Sequence, residues 1–503
     1  MANMSVKPKF YITTPIYYVN DIPHIGHAYT SLACDILARF KRLDGFDVMF
    51  LTGTDEHGQK IEKSALKAGE NLQAFTDKVY VSFKNLSQIM NFSNDDFIRT
   101  SEERHKKYVS EIWRRLVDSG NIYLGKYSGW YAVRDEAFYG ESELVDGKAP
   151  TGADVEWLEE PSYFFKLSAW QDKLLNFYEE NPHFIAPTSR RNEVISFVKS
   201  GLTDLSVSRT SFKWGIPVPG DEQHVIYVWL DALFNYISAL GGENSSYWPC
   251  DLHVVGKDIL RFHAVYWPAF LMAAGIELPK KVFAHGWWTN EGVKISKSLG
   301  NTINPVNLVE EFGLDYVRYF MMKEVPFGND GNYSRSSFIS RVNADLANNI
   351  GNLSQRVLSF IYKNCEMKIP STEALNDNDT EFLSFAYQSL NKVRKEIDQQ
   401  GINHAIQFII DLSAKANEYI DREAPWNLRK TDIERMGSVL YTLAEVIRVI
   451  AVLLQPIMPD ASGKILDTLN VKERSFNTLN KDFALKEGHE IKEPFGVFPR
   501  LEG

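Results

Sequence analysis

The chain has 503 residues, of which 44% are hydrophobic and 24% are charged. This composition is typical of globular proteins and excludes a disordered tail protein, a collagen and a coiled-coil rod, and the length predicts about three domains. The net charge of −10 does not favour a general nucleic-acid binder, although a local basic surface is compatible with it.

The first predicted unit is β–α–β. Residues 10–19 form a nearly unbroken apolar run, typical of a strand buried on both faces of a parallel sheet. After a turn at 20–23, apolar residues recur at helical spacing as far as Gly45, and residues 47–51 predict the next strand. The polar segment 52–59 (TGTDEHGQ) therefore lies at the carboxyl end of a strand, where open α/β sheets bind ligands.

The sequence changes character after about residue 120. Residues 120–215 contain clustered aromatic side chains separated by glycines and acidic residues, which predicts an inserted, partly β domain. Strand-like runs return at 224–229, 252–255 and 282–284, so we expect the parallel sheet to resume after the insertion. Beyond about residue 340 the pattern is almost purely helical.

Cysteines and targeting signals indicate the compartment. Cys34, Cys250 and Cys365 are far apart, which argues against a disulfide scaffold or a cysteine-built zinc site and favours a reducing compartment. The N-terminal residues lack the apolar core of a signal peptide, and the apolar run 449–454 is too short to cross a bilayer. We therefore expect a cytoplasmic protein that does not bind membranes.

The first chemical signal is the tetrapeptide HIGH at residues 24–27, at a predicted strand-to-helix turn. A helix N-terminus offers free N–H groups to a phosphate, and Gly26 allows close approach to the backbone. His24 and His27 are placed to flank an α-phosphate and to donate hydrogen bonds as charge develops on it. The alternative interpretation of the tetrapeptide alone is a pair of surface histidines near a helix cap.

The second signal is KISKS at residues 294–298. Lys294 and Lys297, with Ser296 and Ser298, form a loop able to wrap the β- and γ-phosphates of a nucleotide. Taken alone, such a segment is more often a solvated basic loop. The two signals together are much more specific than either one.

These two motifs resemble the signatures of class I aminoacyl-tRNA synthetases, and further segments are similar to the methionyl-tRNA synthetase family. The resemblance runs from about residue 10 to the C-terminus and rests on six ordered motifs. They are PIYYVNDIPHIGH (15–27), TGTDEHGQK (52–60), YVWLDALFNY (227–236), VVGKDILRFH (254–263), FAHGWWT (283–289) and KISKSLGN (294–301).

The resemblance implies a Rossmann-like α/β catalytic domain with a parallel sheet, an inserted mixed α/β connective domain and an all-α anticodon-binding bundle. The expected boundaries are 1–119 and 216–290 for the two catalytic halves, 120–215 for the connective domain, 291–340 for the KISKS loop and linker, and 341–503 for the helical domain.

The family's reaction has two steps, formation of methionyl-adenylate from L-methionine and ATP, and transfer of the methionyl group to methionine tRNA. The resemblance places His24 and His27 at the α-phosphate and Lys294 and Lys297 at the pyrophosphate, with Mg²⁺ arriving with ATP rather than held in a protein cage. The implied ATP-binding residues are Gly26, Gly256, Asp258, Trp288, Ser296 and Ser298.

A methionine side chain is apolar and flexible, and its thioether favours aromatic edges. Asp55 matches the carboxylate that receives the α-amino group in the family. The positions that match the family's side-chain pocket are Ile16, Tyr18, Trp229, Ala232, Tyr236, Ile259 and His263. Leu233 stands where the family usually has proline. Without the family, core packing is the simpler interpretation of Trp229 and Tyr236.

Two regions are candidates for contact with tRNA. Residues 186–215 carry five basic and two acidic residues, a balance of +3, which is compatible with a phosphate track although such runs are more often solvated faces. The basic residues are Arg190, Arg191, Lys199, Arg209 and Lys213.

In the helical region, Asn348, Asn352 and Arg356 recur every four residues and are expected to project together. The resemblance implies that Asn352 and Arg356, with Trp426, read the CAU anticodon. For Asn352 and Arg356 the alternative is a solvated helix face, and for Trp426 it is packing in the core.

The stretch that matches the family's zinc knuckle reads YAVRD at 131–135, without cysteines, so we expect no structural zinc. We expect the aromatic cluster to hold the insertion together instead. Because the sequence ends at 503, before the dimerising domain that some relatives carry, we also expect a monomer.

Several alternatives stay open. A valine, leucine or isoleucine synthetase needs a large editing insertion, since one methylene group is worth only about 1–3 kcal/mol of discrimination, and the cysteine enzyme needs cysteine-ligated zinc. A small-molecule nucleotidyltransferase also uses His-x-Gly-His, but it does not need a helical anticodon-like domain. An inactive tRNA-binding paralogue is opposed by the intact histidines and lysines.

Overall fold

The computed structural model describes residues 7–19, 22–295 and 300–502. The chain divides into two compact units. The sheet unit comprises Lys9–Cys34 and Val48–His285, and the helical unit comprises Met1–Pro8, Asp35–Asp47 and Gly286–Gly503.

The strands, numbered in chain order, are β1 (Lys9–Tyr18), β2 (Asp47–Asp55), β3 (Asp96–Arg99), β4 (Ile122–Ala132), β5 (Ala137–Tyr139), β6 (Glu156–Phe165), β7 (Ile185–Ala186), β8 (Leu205–Ser206), β9 (Ser208–Arg209), β10 (Pro217–Val218), β11 (Asp221–Ile226), β12 (Leu252–Gly256), β13 (Val282–His285), β14 (Trp288–Asn290), β15 (Val293–Lys294) and β16 (Gly331–Tyr333).

The helices are α1 (Ile25–Leu43), α2 (Gln59–Ala68), α3 (Leu72–Ile89), α4 (Glu103–Asp118), α5 (Gln171–Glu180), α6 (Thr188–Lys199), α7 (Val228–Leu233), α8 (Asn235–Ser238), α9 (Trp267–Ala274), α10 (Pro305–Phe312), α11 (Leu314–Lys323), α12 (Arg335–Val342), α13 (Asn352–Asn364), α14 (Asp377–Asp398), α15 (Ile402–Glu423), α16 (Pro425–Thr431), α17 (Ile433–Leu454) and α18 (Pro459–Thr468). Two π-helical segments, Phe262–Tyr266 and Asn343–Gly351, precede α9 and α13.

A six-stranded sheet in the order β3-β2-β1-β12-β13-β7 forms the centre of the sheet unit. The pairings β2–β3, β1–β12, β12–β13 and β13–β7 are parallel. The order reverses direction between β1 and β12, which is the switch point where open α/β sheets bind ligands at the carboxyl ends of their strands. The predicted β–α–β unit and the return of the sheet at β12 and β13 are confirmed.

The structure corrects one predicted strand. The run 224–229 is a strand only as far as Ile226, and helix α7 begins at Val228. Strand β11 pairs antiparallel with β9 and β10 in a separate three-stranded sheet. The apolar run was too short to separate strand from helix by periodicity alone.

The region 120–215 is partly β, as predicted, and forms the antiparallel sheet β5-β4-β6-β8. Its β7 strand, however, pairs with β13 of the parallel sheet.

Arg209, expected on an exposed basic track, is fully buried. Its guanidinium lies 4.1 Å from the ring centroid of Phe138 and 4.5 Å from that of Tyr227, so the prediction for Arg209 is wrong and the residue belongs to the aromatic cluster of the insertion.

Helix α17 is the central helix of the helical unit, packed against α13, α14, α15, α16 and α18. Its 22 residues are long and apolar enough to pass a compositional test for a membrane span, and its apolar window is wholly buried. A helix that is hydrophobic on every face is expected at the centre of a bundle, so packing accounts for this composition.

One buried ion pair lies on α17 in the interior of this bundle. Arg448 donates to both carboxylate oxygens of Glu445, at 2.7–3.1 Å, and the two side chains are 1% and 0% exposed. Glu445 also accepts hydrogen bonds from the Tyr387 hydroxyl and the Leu485 N–H, and Arg448 donates to the Thr478 carbonyl. Every oxygen of the carboxylate is therefore occupied.

We predict that Arg448→Met lowers the free energy of unfolding of the helical unit by about 3–5 kcal/mol, because it leaves the Glu445 charge buried without its partner. Urea denaturation followed by circular dichroism measures the change. Arg474→Met, which breaks an ion pair with side chains 30% and 61% exposed, is the matched control and should cost less than about 1 kcal/mol. Equal effects of the two substitutions would contradict the assignment.

Candidate active site

The HIGH segment forms the N-terminal turn of α1, directly after the central strand β1. The rings of His24 and His27 stack with centroids 3.9 Å apart, and His27 Nδ1 accepts a hydrogen bond from the His24 N–H at 3.1 Å. Gly26 N–H donates to His24 Nδ1 at 3.1 Å. Burial lowers the pKa of His27 well below its usual range, and the nearby His24 and Lys60 lower it further. A neutral His27 keeps a ring N–H for a phosphate oxygen.

This turn is anchored to the neighbouring strands of the sheet. Thr30 donates to the Gly26 carbonyl at 3.0 Å, and its oxygen lies 2.7 Å from His285 Nε2 at the end of β13. His285 pairs in register with Gly256 at the end of β12. A Cβ added to Gly256 would lie 2.5 Å from Asp258 Oδ1, so the Asp258 carboxylate folds back over this strand end. The ends of β1, β12 and β13 therefore meet around the HIGH turn.

An apolar cluster lies beside the switch point. Most of the predicted side-chain pocket residues belong to the main hydrophobic cluster of the sheet unit, which contains Ile16, Tyr18, Trp229, Tyr236 and Ile259. Ala232 is 3% exposed on the same helix as Trp229. The Trp229 ring stacks on Phe262, with centroids 3.8 Å apart and planes at 10°.

His263 holds one wall of this cluster through both ring nitrogens. Its Nδ1 lies 3.0 Å from the carbonyl oxygen of Ile259, and its Nε2 lies 2.7 Å from the Tyr236 hydroxyl. A carbonyl can only accept, so Nδ1 carries the proton and Nε2 accepts from Tyr236. Burial lowers the pKa of His263 to about 4. The wall is therefore neutral at physiological pH, and its polar atoms are bonded to one another.

At the end of β2, Asp55 presents its carboxylate, and the side chains of the next two residues, Glu56 and His57, are held by buried hydrogen bonds. Glu56 is fully buried and accepts two hydrogen bonds from Arg99, at 2.6 and 2.9 Å. His57 Nδ1 donates to Asp231 at 2.6 Å. Within the described part of the chain, the only hydrogen bond to the Asp55 carboxylate is a long one, 3.5 Å, from the His57 N–H. Asp55 is thus left available for a ligand.

Asp231 joins this segment to two helices. It accepts from His57 and, at 2.7 Å, from His105 of α4, and it lies on α7 between the pocket residues Trp229 and Ala232. Although burial raises the pKa of Asp231, the two histidines outweigh that effect and bring it to about 2. The permanent charge on Asp231 therefore fixes the Asp55 segment relative to α7.

Asp55 has the opposite electrostatic environment. Burial raises its pKa well above the usual range of an aspartate, and the carboxylates of Asp231 and Glu136 raise it further. The site therefore holds an electrostatic cost that a positively charged group would remove.

In the helical unit, Lys294 is exposed at the end of a β14–β15 hairpin, with Nζ 5.6 Å from the Trp287 ring centroid. Asn301 donates to the Lys294 carbonyl at 3.0 Å. Trp288 is buried, 6.2 Å from Phe320 between ring centroids. The predicted residues Ser296, Lys297 and Ser298 lie outside the described residues.

The predicted anticodon residues meet on the bundle surface. The Arg356 guanidinium lies 5.2 Å from the Trp426 ring centroid and bonds Asp421 at 2.8 Å. Trp426 is 39% exposed, and Asn352 is exposed one turn before Arg356 on α13. Asn348 falls in a π-helical segment, so the even four-residue spacing predicted for it holds only from Asn352 onward.

Known families match nearly the whole chain. A family model described as tRNA synthetases class I (M) matches residues 10–156 and 141–358, and one described as the anticodon binding domain of methionyl tRNA ligase matches residues 369–503. The methionine–tRNA ligase of Rickettsia felis is 62% identical over 513 residues, with 99% of each chain covered. That of Brucella suis is 54% identical over 506 residues, with 98% of each covered.

The chain belongs to the methionyl-tRNA synthetases. A solved structure of the Mycobacterium tuberculosis methionyl-tRNA synthetase in complex with methionyl-adenylate is 49% identical, covers 98% of this chain and 100% of its own, and superposes with a TM-score of 0.95. The recognised family and its Rossmann-like fold are therefore confirmed. The other synthetases and the nucleotidyltransferase raised as alternatives are not supported.

Sequence reasoning missed the residues that position Asp55. Arg99 and His105 stand in no quoted motif, and Asp231 was given no role although it stands inside YVWLDALFNY; their partners lie 43 to 174 positions away. The string TGTDEHGQ gave a partial signal, since it places three consecutive ionisable residues after a buried strand. Phe262, which stacks on Trp229, was also missed, although it stands inside the quoted motif VVGKDILRFH.

No group of three His, Cys, Asp or Glu side chains able to hold a metal is present among residues 7–19, 22–295 and 300–502. The expectation that the insertion lacks structural zinc stays a prediction. Residues 131–135 form the end of β4 and the turn toward β5.

We predict that Asp55→Asn stabilises the protein by roughly 1–3 kcal/mol at pH 8, because the substitution removes a charge from a buried site beside two carboxylates. A carboxyl whose pKa is raised on folding destabilises the folded state as pH rises through that pKa, so the gain should vanish below about pH 4. Thermal midpoints at a series of pH values measure it. Glu222→Gln, at an exposed position, is the control, and a less stable D55N at pH 8 would contradict the prediction.

Proposed function

We propose that the protein is a methionine–tRNA ligase. It activates L-methionine with ATP to give methionyl-adenylate and pyrophosphate, and then transfers the methionyl group to the terminal adenosine of initiator and elongator methionine tRNA. The observation that carries this proposal is the Asp55 carboxylate, presented at the carboxyl end of β2 next to the switch strand β1 and tied through His57 and Asp231 to the helix of the apolar pocket.

In this proposal the α-ammonium of methionine binds Asp55, where it neutralises a carboxylate held at an electrostatic cost. The side chain enters the apolar cluster, and its thioether contacts the aromatic edges of Trp229 and Tyr236. The bond between Tyr236 and His263 pairs the facing polar atoms of these two side chains, so this part of the wall suits a flexible apolar side chain. The buried Trp229 Nε1–H has no hydrogen-bond partner among the described residues. The remaining pocket residues proposed are Ile16, Tyr18, Ala232, Ile259 and His263.

Activation is an in-line attack of the methionine carboxylate on the α-phosphate of ATP, with pyrophosphate leaving, so positioning and charge stabilisation supply the catalysis. We assign the α-phosphate to His24, Gly26 and His27. The ring N–H groups of the two histidines donate to the oxygens that gain charge, and the positive end of the α1 dipole adds to the stabilisation. Gly256 and Asp258 take the ribose hydroxyls, since a carboxylate accepts from them.

We assign the remainder of the nucleotide to the β14–β15 region and its loop. The backbone at Trp288 lies on the adenine side by family resemblance, and Lys294 and Lys297, with Ser296 and Ser298, act on the leaving pyrophosphate. Mg²⁺ enters as the complex with ATP, as expected of a cation that prefers phosphate oxygens and water to an all-protein cage.

The exposed Trp426 and its neighbours are assigned to the anticodon. An indole face stacks on an unpaired base, and the amide of Asn352 and the guanidinium of Arg356 suit base edges. The contact between Arg356 and Trp426 supports their joint action. We further propose a cytoplasmic monomer that does not bind membranes.

We predict methionine-dependent exchange of pyrophosphate into ATP, with leucine and valine slower by about 100-fold because their branched side chains fit the slot poorly. Radiolabelled pyrophosphate exchange without tRNA measures it. Asp55→Asn should lose methionine-dependent exchange although it is folded. Exchange at equal rates with leucine or valine would overturn the substrate assignment.

We predict that Trp426→Ala lowers kcat/KM for tRNA charging by about 10- to 100-fold, the equivalent of about 1–3 kcal/mol of base stacking. Exchange without tRNA should be unchanged, since the residue lies far along the chain from the catalytic motifs. Phe483→Ala removes an aromatic side chain that is 49% exposed in the same unit and is the matched control. Unchanged charging by W426A would refute the anticodon assignment.

A further inference from the structure

Glu136 is an unusual residue at the turn between β4 and β5 of the insertion. Its φ angle is +47°, in the left-handed region that non-glycine residues seldom adopt, and its side chain is 1% exposed. A buried carboxylate and a left-handed backbone both cost free energy. The conformation therefore persists only because surrounding contacts hold it.

Those contacts reach three segments outside the insertion. Glu136 Oε1 accepts from the N–H of Lys60 in the first turn of α2, at 3.1 Å, and Oε2 accepts from the hydroxyl of Tyr18 at the end of β1, at 3.2 Å. Its carbonyl oxygen accepts from the hydroxyl of Tyr227, the residue before α7, at 2.9 Å. A Cβ on Gly58 would lie 2.6 Å from Oε1, so only glycine leaves this space.

The three segments are the ones that carry the proposed methionine site. Tyr18 is itself a pocket residue, α2 follows directly on Asp55 and its locked neighbours, and α7 carries Trp229 and Ala232. One residue of the insertion thus contacts three of the segments that shape the proposed amino-acid pocket, through its side chain at Tyr18 and α2 and through its backbone carbonyl at Tyr227.

The charged groups around Glu136 come from several elements. Burial raises the pKa of Glu136 to about 7, although the N–H and the charge of Lys60, the Tyr18 hydroxyl and the Arg209 charge lower it. The carboxylates of Asp55 and Glu136 repel each other, and the charge of Glu136 raises the pKa of Asp55. The Lys60 ammonium lies over the Tyr18 ring, 4.9 Å from its centroid. Asp135 and Arg134 also act on Lys60.

We propose that Glu136 is a positioning residue for methionine, whose ionised carboxylate holds Tyr18 and the first turn of α2 and so couples the inserted domain to the amino-acid pocket. The inference rests on the proposed function, which places Tyr18 and Asp55 in that pocket. The ionised carboxylate accepts from the Lys60 N–H and the Tyr18 hydroxyl in charge-assisted hydrogen bonds, which are stronger than those a protonated carboxyl would make.

The coupling has a defined sign. An ammonium group at Asp55 cancels the charge that repels Glu136, and it therefore favours the ionised form of Glu136. By linkage, ionisation of Glu136 must favour methionine to the same degree. The KM for methionine should fall as pH rises from about 6 to 8, around the pKa of about 7, while the methionine ammonium stays charged.

The test is Glu136→Gln in the full-length protein, assayed by pyrophosphate exchange. Glutamine keeps the shape and an acceptor for the Lys60 N–H but has no charge. The KM for methionine should rise by about tenfold, the order of one hydrogen bond to a charged group. The KM for ATP and kcat should stay within about twofold, and the methionine KM should depend less steeply on pH between 6 and 8, with only the contribution of Asp55, whose pKa is also raised, remaining.

Two further variants separate positioning from general damage. Glu159→Gln, in β6 of the same insertion with a side chain 50% exposed, should leave every constant and the pH profile as in the wild type. Tyr18→Phe removes the hydroxyl that Glu136 accepts from, so its effect on the methionine KM should not add to that of E136Q.

Wild-type methionine KM and pH dependence in E136Q would overturn the inference, and so would full additivity with Y18F. Both results leave the proposed function standing, because the wild-type protein would still show methionine-dependent exchange. A wild-type protein without such exchange would overturn the proposed function and this inference with it.

Discussion

The structure of the candidate site depends on one constraint, the burial of three consecutive ionisable residues at the end of β2. A buried charge is tolerated only with partners, and two of the three have them. Glu56 is held by Arg99, and His57 by Asp231. Asp55 lacks such a partner among the residues that the structure describes, so its carboxylate stays available while the two residues that follow it are held by buried hydrogen bonds.

This constraint also places the apolar pocket. Asp231 lies on α7 with Trp229 and Ala232, so the hydrogen bond from His57 that fixes the Asp55 segment also fixes the helix of the proposed pocket. In the proposed site, one buried network rather than separate loops therefore positions both the carboxylate for the methionine ammonium and the helix of the side-chain pocket. The residues that would touch the ligand are themselves held by hydrogen bonds from residues behind them. This support keeps a site within the narrow geometry that binding and catalysis require.

The helical unit uses a similar device near the proposed anticodon surface. Ala424 has φ +45° and precedes Pro425 and Trp426, a sharp turn between α15 and α16. Arg435 donates to Glu423 at 2.7 Å, immediately before the turn, and bonds the buried Asp379 of α14. The exposed Trp426 therefore stands on a turn that is held by a largely buried network of charged side chains, which suits the proposed stacking on a base.

The sequence predicted the elements whose pattern is local and missed the contacts that are not. The strand and helix around HIGH were clear because an apolar run and a helical period follow one another over residues 10–45. The helix start at Val228 was missed because a six-residue apolar run fits strand or helix equally. Arg209 was placed on the surface because charge alone does not reveal that three aromatic rings enclose it.

The predicted site residues came mainly from family resemblance. The reason is that the site is held by hydrogen bonds between residues that are far apart along the chain. His105, which completes it, is 126 positions from Asp231, and no periodicity or spacing rule links residues so far apart. What the chain order does indicate is that polar residues follow buried strands, and this is enough to locate Asp55 and Asp258 but not their supports.

A crystal structure of the protein with bound methionine tests the central claim most directly. The account predicts that the methionine nitrogen lies at hydrogen-bond distance, ~2.8 Å, from an Asp55 oxygen, while His57, Asp231 and His105 keep their bonds to one another. A methionine whose ammonium group binds elsewhere, with Asp55 turned away or with the Asp231 network broken, would contradict it.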